Sequence, residues 1–134
     1  LIVSTLDRIE SGDARFTPQD ESLSSYAPKL KKEDGLIDWK KDAVSIKNLV
    51  RGCYPWPSAY TYIDGKLLKI LKAGISEEKQ AARAGSIISA DNKGISVACK
   101  EGTILIKRLQ LEGKNALDAA DFLRGNPLKK DMVL

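Results

Sequence analysis

Lysine and arginine side chains supply most of the chemistry that this sequence offers. The chain contains 22 Lys and Arg residues against 18 Asp and Glu, a net charge of +4. Residues 1–28 carry two basic and five acidic side chains, whereas residues 29–134 carry 20 basic and 13 acidic ones. A positively charged main body is typical of proteins that bind polyanions, so phosphate binding is the chemistry to expect.

The sequence lacks the residues that most catalytic and metal sites require. It contains no histidine, which excludes Ser–His and Cys–His nucleophile pairs, His-ligated metals and the commonest general base. It also has neither a Walker loop nor a GxGxxG motif. We therefore expect no catalytic residue and no metal site in this chain.

The cysteines, Cys53 and Cys99, match no metal-ligand spacing and no disulfide framework. The functional alternatives are that the two cysteines form one disulfide or that one of them is a reactive thiol. We favour a third interpretation, in which both are small, buried, apolar side chains in a reducing cytosol.

A basic cluster and a basic helix edge are the first candidate phosphate contacts. Three lysines lie within residues 29–32, and they could contact phosphate or simply keep a connection solvated. Residues 42–51 are predicted to form a helix with Asp42 at its start. Lys47 and Arg51 lie four residues apart and form a basic edge on this helix. Its apolar stripe comprises Ala43, Ile46 and Val50, widened by Leu49.

Two prolines flank Trp56 after this helix. Because each proline fixes its own φ and disfavours the α region for the residue before it, an extended, polyproline-like course is predicted. Trp56 could stack on a nucleotide base or seal the helix against a sheet. We favour the core position, since large aromatic side chains are mostly buried.

The Asp64-Gly65 dipeptide predicts a β-hairpin between residues 59–63 and 66–73. A two-residue turn pairs Ile63 with Lys66 and puts one mostly apolar face toward the core. The other face carries Tyr60, Tyr62 and Lys69 among its residues, and we expect it to be partly buried.

The rest of the chain predicts three more strands and a second helix. A polar connection at 76–84 precedes strands at 85–90, 95–99 and 103–110. In the last strand, Leu109 is predicted to lie on the face opposite Ile104 and Ile106. Asp118 is predicted to cap a helix that ends at Arg124, and the tail from residue 128 is predicted to be frayed. This pattern predicts a mainly β protein with flanking helices, an OB-fold-like five-stranded barrel.

The N-terminal residues are predicted to form a helix over 1–11 followed by an irregular linker over 13–28. The chain begins without an initiator Met, inside an apolar run, which suggests that it was cut from something longer. No run approaches the roughly 18 apolar residues of a membrane span, and no signal peptide is present. We therefore expect a cytoplasmic protein.

Several short motifs stand together in one order and at suitable spacing. They are Pro-Gln-Asp-Glu at 18–21, Tyr-Ala-Pro-Lys-Leu at 26–30, Glu-Asp-Gly-Leu-Ile-Asp-Trp at 33–39, Pro-Trp-Pro-Ser-Ala-Tyr-Thr at 55–61, Gly-Lys at 113–114 and Ala-Ala-Asp-Phe-Leu at 119–123. Together they resemble the C-terminal third of methionyl-tRNA formyltransferases. Tyr54, Ser58 and Leu71 depart from the family pattern, and none of these departures removes a charge.

The resemblance implies a parent enzyme that moves a formyl group from 10-formyltetrahydrofolate to the amino group of initiator methionyl-tRNA. It implies catalytic Asn, His and Asp residues in a missing N-terminal domain, and no cofactor in this fragment. It also implies that residues 1–12 are a remnant of the last helix of the catalytic domain, 13–37 a linker and 38–134 an OB-like domain. The expected partners are initiator tRNA, contacted through its backbone, and the missing domain; we expect a monomer.

Within this interpretation, exposed cations around the linker, the first helix of the main body and the barrel are the predicted tRNA contacts. They are Lys29, Lys31, Lys32, Lys40, Lys41, Arg51, Lys66, Lys69, Lys72, Lys107 and Arg108. One alternative is a scaffold or oligomerisation tail of a related sugar-nucleotide or folate formyltransferase. Another is a free-standing protein-interaction barrel, which the apolar helix at the N-terminus disfavours.

Overall fold

The computed structural model describes residues 1–78 and 82–134, which form one antiparallel sheet with helices around it. The helices are α1 (Ile2–Glu10), α2 (Ala43–Gly52) and α3 (Ala119–Gly125). The strands are β1 (Ala59–Ile63), β2 (Lys66–Ser76), β3 (Ile87–Asp91), β4 (Gly94–Ala98), β5 (Thr103–Leu111) and β6 (Leu117–Asp118). Short 3₁₀ helices span Glu21–Leu23 and Lys32–Gly35. Part of the predicted connection 76–84 lies outside the described residues.

The β1–β2 hairpin has the predicted turn and register. Asp64 and Gly65 have φ values of 48° and 74°, as expected for a two-residue hairpin turn that needs two positive φ values. Ile63 pairs with Lys66, and the pairing continues to Ala59 opposite Ile70. On the outer face Tyr60 is buried, whereas Tyr62 is half-exposed, so the predicted partial burial of this face is confirmed.

The sheet order is β1-β2-β5-β4-β3, and β6 pairs with β5. Within the described ranges, β1 and β3 are not paired with each other, so the sheet does not close into a barrel. Its two edges are instead met by isolated bridges, from Leu36 to Tyr60 and from Val133 to Ser86. The mainly β, OB-like architecture predicted from the sequence is confirmed.

Helix α2 lies on the sheet through the predicted apolar stripe, because Ala43, Ile46 and Val50 are all buried. They join a core that includes Leu68, Ile70, Ile104, Ile106 and other buried side chains. Asp42 is the N-cap: its carboxylate accepts hydrogen bonds from the hydroxyl of Ser45 at 2.6 Å and from its N–H at 2.9 Å. These bonds hold the pKa of Asp42 below its ordinary value.

The prediction that Leu109 lies on the face opposite Ile104 and Ile106 is wrong, because β5 contains a bulge. Lys72 pairs with Arg108 and Ala73 pairs with Ile106, so Lys107 has no opposite residue on β2. The extra residue resets the alternation of side chains along the strand. Lys107 and Arg108 are therefore both exposed, and Leu109 is fully buried with Ile106.

The tail from residue 128 is docked, not frayed as predicted. The Ile87 N–H donates to Met132 O at 2.8 Å, and the Leu134 N–H donates to Gly85 O at 3.0 Å. Leu128, Met132 and Leu134 are partly buried against the core. The tail is ordered because it satisfies backbone groups along the outer edge of β3 and covers apolar surface.

The prediction of an extended course and a buried indole around Trp56 is wrong. The chain folds back between α2 and β1, where the Ser58 N–H donates to Cys53 O at 2.8 Å. Pro57 and Ser58 take the inward positions, and Trp56 is 61% exposed. Trp39 occupies the core instead, with 8% of its surface exposed.

Helix α1 forms as predicted and is followed by Gly12 with a φ of 77°. None of its residues is buried. The linker contains only the 3₁₀ helix Glu21–Leu23 before residue 28. In the described ranges, no helix is long and apolar enough to cross a membrane.

Candidate nucleic-acid interface

The predicted phosphate contacts are exposed side chains, with Lys69 half-buried. Two grooves bring some of them together. The first, which we call the α2–β2 groove, has a volume of about 260 Å³ and lies between helix α2 and strand β2. The second, the β2–β5 groove, has a volume of about 280 Å³.

The α2–β2 groove combines apolar walls with a cationic rim. It is lined by Lys47, Val50, Arg51, Tyr54, Leu71, Lys72 and Ala73, with no carboxylate among them. Lys47 and Arg51 lie one helical turn apart on the predicted basic edge of α2. In the described residues, the ion pairs are Arg108–Asp118 and Arg124–Asp121, so none neutralises Lys47, Arg51 or Lys72. The groove therefore has a local charge of +3.

The β2–β5 groove places Lys32 of the second 3₁₀ helix near Lys69 of β2. Its other lining residues include Gln110 and Glu112. The Glu112 carboxylate accepts a hydrogen bond from the Leu67 N–H at 3.3 Å. This groove is therefore less positive than the α2–β2 groove.

Lys107 and Arg108 follow one another at the β5 bulge. The Lys107 ammonium group extends across β2. Its Nζ lies 3.8 Å from the position that a Cβ on Gly74 would occupy. Arg108 pairs with Lys72 across the strands, but its guanidinium donates to the Asp118 carboxylate at 2.9 Å. Asp118 is the N-cap residue of α3, as predicted, but its side chain makes no cap hydrogen bond. Its carboxylate binds Arg108 instead.

The remaining predicted cations line neither groove. Lys40 and Lys41 lie in the turn before α2, where the Lys100 N–H donates to Lys41 O at 3.1 Å. Lys66 borders a separate groove beside α3. Lys29 lies in the linker, and Lys31 precedes the second 3₁₀ helix.

Two polar residues that line the α2–β2 groove were missing from the predicted set, Lys47 and Tyr54. The spacing of Lys47 from Arg51 was a sufficient signal for the first. Tyr54 carried no such signal, because its 61% exposure depends on how the chain turns after α2.

Carboxylates concentrate at a different groove, lined by Glu77, Glu78, Ser89, Asp91 and Lys93 among others. The Ser89 hydroxyl donates to Glu78 at 2.9 Å there. This groove therefore has three carboxylates against one lysine, whereas the charged side chains that line the α2–β2 groove are all cations. A polyanion would be attracted to the α2–β2 groove and repelled by the acidic one.

The cysteines are free and buried, as predicted. Burial raises the pKa of both thiols, for Cys99 to about 11. In residues 1–78 and 82–134, no group of three or more His, Cys, Asp or Glu side chains is arranged to hold a metal ion.

Comparisons with curated proteins relate the chain to methionyl-tRNA formyltransferases. It is 50% identical to the Geobacter metallireducens enzyme of that name over 133 residues, and 40% identical to that of Clostridium novyi over 134 residues. The matches cover 99% and 100% of this chain, but only 42% and 43% of those proteins. The chain therefore spans about two fifths of the length of the curated relatives that it matches.

Solved structures show the same fold. HypX from Aquifex aeolicus, in a six-substitution variant, superposes with a TM-score of 0.70 at 22% identity, covering 97% of this chain and 24% of HypX. HypX in complex with tetrahydrofolic acid gives a TM-score of 0.69. At this identity the likeness concerns the fold alone.

A protein-family model described as "Formyl transferase, C-terminal domain" matches residues 29–127. The match spans α2, the whole sheet and α3, and includes the residues that line the α2–β2 groove. The chain belongs to the formyl transferase C-terminal domain family.

Proposed function

We propose that this chain is the tRNA-binding C-terminal domain of a methionyl-tRNA formyltransferase. The parent enzyme would formylate the amino group of initiator methionyl-tRNA with 10-formyltetrahydrofolate, in the cytoplasm. The names of relatives that are 40–50% identical over almost the whole chain support this assignment. Both the folate and the catalytic residues would belong to the N-terminal domain of the parent, and this chain would contribute affinity.

One observation carries the binding role: three cations that form no ion pair within residues 1–78 and 82–134 converge on the α2–β2 groove. Lysine and arginine side chains that neutralise phosphates release counterions, which supplies affinity without reading sequence. A structured RNA such as tRNA is recognised largely through its shape and backbone. Arg51 and Lys72, joined by Lys47, are therefore the centre of the proposed interface.

The other predicted cations extend this proposal to both sides of the groove. Lys107 adds a charge at the neighbouring bulge, and Lys32 and Lys69 add charges at the β2–β5 groove. Lys29, Lys31, Lys40, Lys41, Lys66 and Arg108 complete the proposed set. The domain boundaries at residues 12 and 37, and a monomeric state in solution, are also proposals.

The test is binding of the 134-residue chain to initiator tRNA over a series of salt concentrations. Each phosphate contact is expected to contribute about −0.7 to −0.9 to the log–log slope of affinity against salt. A steep negative slope supports tRNA binding. A flat response, or no binding at low salt, would contradict it and would favour the alternative function of a scaffold or oligomerisation domain, which sedimentation velocity would detect.

A further inference from the structure

We propose that the α2–β2 groove binds a single unpaired nucleotide of the RNA, with its base against Tyr54 and its phosphate at the rim cations. This inference rests on the proposed function and adds a specific ligand for one part of the interface. It changes the expected binding mode at that point from backbone contact alone to capture of a base.

The bulge in β2 builds one wall of this groove. Ile70 pairs with Leu109 and Lys72 pairs with Arg108, so Leu71 has no opposite residue. In a regular strand, consecutive side chains point to opposite faces. Here the consecutive residues Leu71 and Lys72 line the same groove. The bulge thus sets an aliphatic surface beside a cation, as bulges near binding sites commonly do by redirecting side chains.

The opposite wall presents an exposed aromatic ring beside a buried aliphatic residue. Tyr54 follows the end of α2 and is 61% exposed, whereas Val50 is buried at 3%. An exposed ring beside apolar side chains can stack with the face of a nucleobase, an interaction available to all four bases. A nucleotide joins a phosphate to a flat base, so one ligand would satisfy both the cations and the exposed ring.

The size of the groove limits what it can hold. Its volume of about 260 Å³ lies just below the roughly 300–1,000 Å³ of sites that enclose drug-sized ligands. A single base is therefore a suitable occupant, whereas an intact double helix is far too wide. Because paired bases have both faces stacked inside the helix, only an unpaired nucleotide can present its base to Tyr54.

The rim cations are placed to bind the phosphate of such a nucleotide. Lys47 and Arg51 project from α2, and Lys72 projects from the facing strand. A phosphate at the mouth of the groove would be contacted from two sides. Arginine can bind it in a bidentate manner, and the lysines act as point charges.

The test compares Tyr54 with Trp56, which is equally exposed at 61% but does not line the groove. The variants are Tyr54→Leu, Tyr54→Phe and the matched control Trp56→Leu. The probe is a short single-stranded RNA with one central 2-aminopurine and abasic residues at all other positions, because the groove would accept any base. Further probes are the same RNA with an abasic centre, a blunt RNA hairpin and adenosine monophosphate.

We expect Tyr54→Leu to weaken binding of the single strand about 5- to 100-fold and to abolish quenching of the 2-aminopurine, since one stacked base contributes an effect of that order. Tyr54→Phe and Trp56→Leu should leave affinity within about twofold, because stacking needs only the ring at position 54. The abasic probe should bind the wild-type chain as weakly as the intact probe binds Tyr54→Leu. The mononucleotide should bind more weakly than the single strand.

Equal affinities of Tyr54→Leu and the wild type for the single strand would overturn the inference, as would a larger loss in Trp56→Leu. A mononucleotide that binds as tightly as the oligonucleotide would assign the groove to free nucleotides instead of RNA. If tRNA and the hairpin still bind in a salt-dependent way, the proposed function survives either result. Absence of salt-dependent tRNA binding would defeat the function itself.

Discussion

Trp39 and Thr61 are joined by a buried hydrogen bond, in which the indole Nε1–H donates to the Thr61 hydroxyl at 3.2 Å. The two residues are only 8% and 4% exposed. The bond connects the segment before α2 to strand β1, so it couples the linker end of the domain to the sheet. It also explains how a tryptophan fits this core, because its polar atom has a partner.

Thr61→Val should destabilise the chain by about 1–3 kcal/mol, because it leaves the buried indole N–H without an acceptor. Urea denaturation measures this change. In a Trp39→Phe background the same substitution should cost much less, since no indole donor remains. Equal costs in the two backgrounds would mean that the hydrogen bond makes no net contribution.

Asp42→Asn tests the cap of α2 through its pH dependence. The Ser45 hydroxyl and N–H lower the pKa of Asp42 in the folded chain. A lowered folded pKa gives stability that is present above the unfolded pKa of about 3.9 and is lost as pH falls through the folded value. The Asp42→Asn variant would keep a hydrogen-bond acceptor for Ser45 but would have no carboxylate to titrate. As the pH falls below about 4, the melting temperature should therefore decrease more steeply for the wild type than for Asp42→Asn.

Asp20→Asn is the matched control for this pH series. Ser22 lowers the pKa of Asp20 in the same way, but the Glu21–Leu23 helix that Asp20 caps has no buried residue. Loss of this cap should leave the cooperative melting transition unchanged. An equal effect of both substitutions would contradict the assignment of the pH dependence to α2.

The triple substitution Lys47→Ala, Arg51→Ala and Lys72→Ala should reduce the magnitude of the salt slope for tRNA by about 2–3. Each substitution removes one cation from the α2–β2 groove. The matched control removes Lys93, Lys129 and Lys130, an equal charge, of which Lys93 borders the acidic groove and the other two lie in the C-terminal tail. If both triples reduce the slope equally, binding depends on net charge and not on the groove.

Asp118→Asn should strengthen tRNA binding, because it frees the Arg108 guanidinium beside Lys72. The slope should become steeper by about 0.7–0.9, one additional contact. Stability should change by less than about 1 kcal/mol, since the Arg108–Asp118 pair is exposed. Asp121→Asn changes the net charge equally at the Arg124–Asp121 pair. Equal tightening by both variants would leave Arg108 without a specific role.

Local rules predicted the parts of the fold that depend on neighbours in sequence. The Asp64-Gly65 turn fixed the register of the β1–β2 hairpin, because a two-residue loop leaves no freedom in the pairing. The stripe of α2 was equally predictable, since Ala43, Ile46 and Val50 follow the helical repeat. The cationic rim of the α2–β2 groove was only partly predictable from the sequence. Lys47 and Arg51 lie on one helix, whereas Lys72 joins them only through the packing of α2 against β2.

The wrong predictions concern features of the fold that rules based on neighbouring residues do not determine. The bulge in β5 has no signature in the sequence around Lys107, and it reversed the facing of Leu109. The tail was assigned as frayed because its partner, the edge of β3, is distant in sequence. Trp56 was expected in the core because large aromatic side chains are mostly buried, but its 61% exposure depends on how the chain folds back between α2 and β1.

The enclosure of Cys53 and Cys99 has a practical consequence for spectroscopy. Maleimide and thiosulfonate reagents react with accessible thiolates, and both native thiols are buried with a raised pKa. A cysteine introduced on the surface would therefore be modified selectively at neutral pH, with the native pair left in place. Fluorophores or spin labels could then be attached one position at a time around the basic surface.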